Sequence, residues 1–229
     1  MELCVALDLP TQEENLALVA ALQSYNIWLK VGLRSYIRDG KAFIDAINAV
    51  NPDFKIFLDL KLYDIPNTMA DAAESIMNLH VDMFNVHASA GTKAMQTLMR
   101  RLESYENRPL VLAVTALTSF DEAGFKAVYG SDIAHKAEQF AIDAYESGLD
   151  GVVCSVLESA AIKAATHSRF ATLTPGIRPF GEAANDQERV ATVAMADAAK
   201  VDFIVVGRPI YQAKNPAAVV EKILAQLSE

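Results

Sequence analysis

Cysteine is scarce in this chain: there are two, Cys4 and Cys154, both in apolar stretches and neither with a His or Cys at ligand spacing. That excludes a disulfide framework and a cysteine-based zinc site, and predicts two buried free thiols. Positive charge is short as well, with 20 Lys and Arg against 29 Asp and Glu for a net charge of −9. Over most of such a surface a nucleic-acid backbone or an anionic membrane would be repelled, so an anionic ligand has to meet a local basic site. Long hydrophobic runs are missing, and the opening MELCVALDLP has neither the basic nor the extended apolar region of a secretory signal. A cytoplasmic protein is expected, with no nucleic-acid or membrane partner. The G-x-G-x-x-G fingerprint is absent too, which argues against an open doubly wound sheet holding a dinucleotide.

What is present is a regular alternation. Short apolar, β-branched runs at Leu3–Asp8, Ile27–Val31, Phe54–Asp59, Val81–Val86, Leu110–Thr115, Gly151–Cys154, Ala171–Thr174 and Phe203–Val206 are each followed by a segment of helical periodicity. The helices fall near 12–24, 34–48, 67–79, 91–104, 132–147, 157–166, 187–199 and 215–227, with Thr11 and Ser131 as capping residues,. Eight βα units in 229 residues, with no linker, fit one (β/α)₈ TIM barrel spanning residues 1–229, close to the usual size of roughly 250. Two strand-to-helix connections, Ala116–Gly130 and Pro175–Asp186, are longer than turns require. Binding loops and lids sit at that end of a barrel.

Polar residues at the strand C-termini are the candidates for chemistry, and here they are charged. Asp8 ends the first strand, Lys30 lies near the end of the second, and the third runs out through Asp59, Lys61 and Asp64. In an extended strand Asp59 and Lys61 project from one face, into the barrel mouth. A buried ion pair there carries a desolvation cost that a structural role repays poorly. Asp64, ahead of Ile65 and Pro66, reads equally well as a cap for the next helix. The loops after strands seven and eight supply Gly176, Arg178, Gly207 and Arg208, a set suited to phosphate: arginine pairs with its oxygens while glycine lets backbone amides approach. His87 ends strand four and reads as a structural hydrogen-bonding residue, while Trp28, Phe54 and Phe57 read as core,.

The runs DLKLYDIPNT at 59–68, LDLP at 7–10, LKVGL at 29–33, VTALTS at 114–119, TPGIRP at 174–179 and VVGRPIY at 205–211 closely resemble the orotidine 5′-monophosphate decarboxylase family, from end to end of the chain. The resemblance implies loss of carbon dioxide from that nucleotide to give UMP, with no metal and no organic cofactor. It implies an alternating network of Lys30, Asp59, Lys61 and Asp64 around the substrate carboxylate, Lys61 delivering the proton to C6. It further implies that Asp8 and Lys30 hold ribose hydroxyls, Thr118 lies near base and ribose, Ser155 reads the pyrimidine edge, and Gln187 closes over the ligand. A homodimer follows from the same resemblance, with Asp64 and Thr68 reaching into the neighbouring subunit's site. The nearest alternative is a metal-dependent sugar-phosphate decarboxylase or aldolase of the same superfamily. Those relatives carry a carboxylate metal ligand on strand two where this chain has Lys30, whose charge would oppose a divalent cation. A second alternative, a barrel that only binds a phosphate ligand, would gain nothing from Lys61 among carboxylates.

Overall fold

The computed structural model describes residues 1–181 and 189–228. Eight parallel strands close a barrel in sequence order: β1 (Glu2–Ala6), β2 (Trp28–Gly32), β3 (Lys55–Leu62), β4 (Met83–His87), β5 (Leu110–Val114), β6 (Gly151–Val153), β7 (Ala171–Thr174) and β8 (Phe203–Val206), with β8 pairing back onto β1. The helices are α1 (Gln12–Ala21), α2 (Leu33–Val50), α3 (Pro66–Ile76), α4 (Thr92–Leu102), α5 (Glu122–Tyr129), α6 (Ile133–Glu146), α7 (Val156–Ala165), α8 (Val193–Ala198), α9 (Arg208–Tyr211) and α10 (Pro216–Leu227). This is the TIM-barrel architecture expected from the alternation. Among the described residues no helix is long and apolar enough to cross a membrane.

Strand residues alternate between two apolar environments, because a barrel inside a helix layer buries both faces of its sheet. Cys4, Trp28, Phe57, Met83, Leu112, Val153, Leu173 and Phe203 fill the lumen. Their neighbours Leu3, Leu29, Ile56, Phe84, Val111, Val152 and Ile204 pack outward under the helices. At Gly151 a β-carbon would stand 2.2 Å from the Ala171 carbonyl oxygen, so only glycine lets β6 approach β7,.

The N-terminal end of the barrel is pinned by a device repeated at β4, β6 and β8. Asp82, Asp150 and Asp202, just ahead of β4, β6 and β8, accept the backbone N–H of Ile56, Val111 and Thr172 on the preceding strand at 2.8, 2.7 and 2.7 Å. Each also pairs with a cation, Lys55, Arg108 and Lys163, at 2.9, 2.6 and 2.7 Å. The apolar barrel therefore has a charged floor as well as a charged mouth.

Several local expectations need correction. The 116–130 connection contains α5, capped by Asp121 and stopped by a left-handed Gly130, because Phe125 packs with Phe120 and Tyr129 into a satellite core over Ile133. Helix α6 is capped by the Asp132 carboxylate, which accepts the His135 N–H, and not by Ser131. The helix expected at 187–199 is confined to Val193–Ala198 within the described residues. Strand β3 runs three residues beyond Asp59, and it does so irregularly.

Candidate active site

At the C-terminal end of the lumen the inward positions turn from apolar to charged, and they open into a cavity of about 460 Å³, a size that suits a small ligand. Asp8, Lys30, Asp59, Lys61, Thr118, Gly176, Arg178, Gly207 and Arg208 all line it. Asp8, Lys30, Asp59 and Lys61 come from the adjacent strands β1, β2 and β3 or the residues just after them. Lys30 Nζ stands 3.3 Å from Asp8 Oδ1 and 3.4 Å from Asp59 Oδ2, while Lys61 Nζ stands 2.6 Å from Asp59 Oδ1. Charge alternates along Asp8, Lys30, Asp59 and Lys61.

Burial works against ionising Asp59, but the ammonium groups of Lys30 and Lys61, with hydrogen bonds from Lys61 and Asn85, outweigh it and lower its pKa to about 2,. Burial likewise opposes the charge on Lys30, and the Asp59 and Asp8 carboxylates override it, raising that group above ordinary lysine,. Asp59 and Lys30 are thus held ionised through the neutral range.

Asp59 and Lys61 meet by a route other than simple alternation. Between the paired positions Leu58↔Phe84 and Leu62↔Val86 the register shifts, so three residues of β3 face one of β4, Asn85. Lys61 takes a left-handed φ of 54° in this bulge. Bulges re-aim side chains beside active sites, and a non-glycine residue at positive φ stores strain that its surroundings must hold. Here the Asn85 carboxamide bridges the irregularity, accepting the Lys61 N–H at 2.7 Å and donating to Asp59 Oδ1 at 2.8 Å.

Across the cavity, Arg178 is buried on the loop after β7, donating through Nη1 to the Ile177 carbonyl at 3.0 Å. Its backbone N–H reaches Ala191 O at 2.8 Å, and the Ala191 N–H returns to Gly176 O at 3.1 Å, closing the base of that loop. Gly176 has φ 83°, a conformation that favours glycine,. Arg208 opens the short helix α9 directly after Gly207.

The remaining expected residues lie elsewhere. Within one chain the alternating set contains Asp8 and not Asp64, which is exposed and outside the cavity, as is Thr68. The Asp64 carboxylate accepts the Ile65 N–H at 2.7 Å, and the N-cap of α3 is Ile65, so Asp64 is not that helix's cap. Ser155 is buried as the N-cap of α7, its hydroxyl accepting the Leu157 N–H at 3.3 Å, and it does not line the cavity. Gln187 lies outside the described residues. His87 accepts from the Ser89 N–H at 3.2 Å and stands edge-on to Tyr63; burial and the nearby Lys61 charge lower its pKa.

Sequence reasoning missed two groups. Asn85 was detectable as a polar residue inside an otherwise apolar strand, since a buried amide needs partners. Arg189 pairs with the buried Glu158 carboxylate and donates to Ala116 O at 3.2 Å, tying the loop after β5 to the start of α7. Glu158 in turn accepts the Ser155 N–H at 3.0 Å. The S-x-x-E spacing from Ser155 is legible as a capping box, but a partner 31 residues on is not.

An eight-stranded barrel with an ordered line of ammonium and carboxylate groups at its mouth and arginines on the loops after β7 and β8 defines the class: a TIM-barrel protein with a charged cavity at the C-terminal end of its strands,. The chain belongs to the orotidine 5′-phosphate decarboxylase / HUMPS family, whose model matches residues 1–223. It is 69% identical over 227 residues to the orotidine 5′-phosphate decarboxylase of Sulfurimonas denitrificans, covering 99% of this chain and 100% of that one. The enzyme of the same name from Nitratiruptor sp. is 67% identical, again over 99% and 100% of the two chains. Among solved structures, the orotidine 5′-phosphate decarboxylase of Lactobacillus acidophilus superposes with a TM-score of 0.85 at 31% identity, covering 100% of this chain and 99% of that one.

Proposed function

We propose that this chain is a carboxy-lyase of pyrimidine nucleotide synthesis that converts orotidine 5′-monophosphate to UMP and carbon dioxide, using its own side chains and no metal or organic cofactor. The observation that carries the reading is Asp59 held between Lys30 and Lys61 at the cavity wall, with Arg178 and Arg208 on the loops that barrels use for phosphate,. Family membership, and relatives of 57–69% identity that bear this enzyme's name, support it.

The chemistry asks for such a wall. When the bond between C6 and the carboxylate breaks, its electron pair stays on a ring carbon with no ordinary electron sink, and carbon dioxide leaves neutral. A fixed ammonium beside C6 stabilises that charge as it develops. Lys61 supplies the ammonium, then transfers its proton to C6 and regains one from solvent. Asp59 faces the departing carboxylate; two such charges about 4 Å apart repel by about 4 kcal/mol at an effective dielectric near 20, and the repulsion vanishes as the leaving group becomes neutral. Lys30, paired with both Asp8 and Asp59, keeps Asp59 ionised and orients the two carboxylates.

Asp64 and Thr68 serve the neighbouring subunit's site in a cytoplasmic homodimer on this reading, with Ser155 and Thr118 on the base side and Gln187 over the ligand. Exposed Tyr63 and Ile65 flank Asp64, and Leu33 and Ile37 are exposed after the adjacent strand β2. An apolar surface at that rim suits a subunit contact.

The test is loss of the orotate absorbance when purified protein meets orotidine 5′-monophosphate in excess chelator. Turnover is expected. No change, or strict dependence on added magnesium, would favour the metal-dependent enzymes of the superfamily.

A further inference from the structure

We infer that Asn85 is a positioning residue of this reaction, holding the β3 bulge so that Lys61 and Asp59 present their charges to one point in the cavity. The inference rests on the decarboxylase reading above and adds a residue to it. Asn85 is fully buried and is the single β4 residue opposite Asp59, Leu60 and Lys61. Ile56, five residues earlier, turns its N–H and C=O toward Asp82 at the start of β4, so by regular alternation the Lys61 N–H would face β2; the bulge turns it toward β4 instead, and the Asn85 side-chain oxygen accepts it at 2.7 Å,. The same carboxamide donates to Asp59 Oδ1 at 2.8 Å, the oxygen that also receives Lys61 Nζ at 2.6 Å. One rigid amide therefore fixes both the backbone from which Lys61 projects and the carboxylate that Lys61 contacts.

The residue type follows from these two bonds. The site needs an acceptor on one side and a donor on the other, at the reach of a short side chain, and a carboxamide supplies both without charge. Lysine has no local means of favouring a left-handed backbone, so the support comes from across the sheet. Reaction centres lose about 100-fold when a reacting group is displaced by about 1 Å, and the Lys61 ammonium is the displaced group if Asn85 is removed.

Two variants test this. Asn85→Ala should lower kcat by about 100-fold while UMP affinity stays within about threefold of the parent, because a group misplaced relative to the transition state costs rate and not product binding. Asn85→Asp keeps the shape and the acceptor but sets a second carboxylate against Asp59. Two carboxylates sharing a site cannot both ionise easily, and a protonated Asp at position 85 restores the donor. Position 85 touches Asp59 and the Lys61 backbone on β3; the Lys61 and Lys30 ammonium groups both pair with that Asp59, and His87 lies two residues on along β4. Its kcat should therefore rise as pH falls from 8 to 5.5, a limb the parent lacks. A folded Asn85→Ala with kcat within about threefold of the parent, or with UMP affinity lost as fully as kcat, overturns the inference. If Asn85→Ala does not fold, the pH profile of Asn85→Asp decides, and a profile parallel to the parent's overturns it. A parent that does not turn over orotidine 5′-monophosphate sinks the decarboxylase reading and this inference together; an active parent beside an unaffected variant sinks this inference alone.

Discussion

At the scale of single residues the site is a line of alternating charges, and the ionisation of its two inner members, Lys30 and Asp59, is fixed by their neighbours. Asp59 is the clearest case, with a pKa of about 2 against an ordinary value of 3.8. A carboxyl depressed on folding contributes stability that is complete above its unfolded pKa and is lost as pH falls through the folded one. Here that amounts to about 2 kcal/mol, lost between about pH 4 and pH 2. Urea unfolding at stepped pH should show the parent losing about that much more than Asp59→Asn over this window; equal slopes would mean that Asp59 is not held ionised by Lys30 and Lys61. The arginines make a separate prediction. Arg208→Ala should cost about 1.5–3 kcal/mol in kcat/KM for orotidine 5′-monophosphate and little for orotidine without its phosphate. Equal losses for the two would show that Arg208 is not the phosphate ligand.

At the scale of elements the two ends of the barrel do different work. The floor aspartates stitch β4, β6 and β8 each to the strand before it, and they lie a full strand length from the charged mouth. Asp150→Ala removes both the acceptor for the Val111 N–H and the partner of Arg108. A cost of about 1.5–3 kcal/mol is expected, lowering Tm by roughly 3–12 °C, with kcat/KM unchanged. Lost activity in the folded variant would contradict this separation of stability from chemistry. The mouth is the converse: the bulge in β3 and the left-handed Lys61 within it are irregular, and they set the charged groups at the cavity rim. The eight strands and most helices were readable because burial on both sheet faces writes itself as apolar runs, and surface helices as a 3.6-residue period. Helix α5 was not, because its reason for forming is a cluster of Phe120, Phe125 and Tyr129 over a neighbouring helix, and its glycines resemble loop punctuation.

At the scale of the whole molecule, the proposed function makes the dimer part of the site. Each site should combine Lys61 of one chain with Asp64 of the other, so the inactive variants Lys61→Ala and Asp64→Ala should rescue one another. In a mixed dimer one site collects both lesions while the other receives intact Lys61 and intact Asp64. Random exchange makes about half of the dimers mixed, so activity should return to roughly a quarter of the parent's. Equal amounts of the two variants, mixed and refolded, are assayed after subunit exchange has been verified. Exchange without recovery would assign Asp64 to its own chain.

The sequence by itself determined the barrel, the charged rim at Asp8, Lys30, Asp59 and Lys61, and the arginines after the last two strands, because strand periodicity and topology place such residues without knowledge of their partners. Only the tertiary structure decided how the rim and the floor are held. Asn85 acts through the β3 bulge, Arg189 through Glu158, and the floor aspartates through amides on neighbouring strands. Each is a contact between residues distant in the chain, made because a buried donor or acceptor has to be satisfied, and the partner that satisfies it is chosen by the three-dimensional packing of strands and loops.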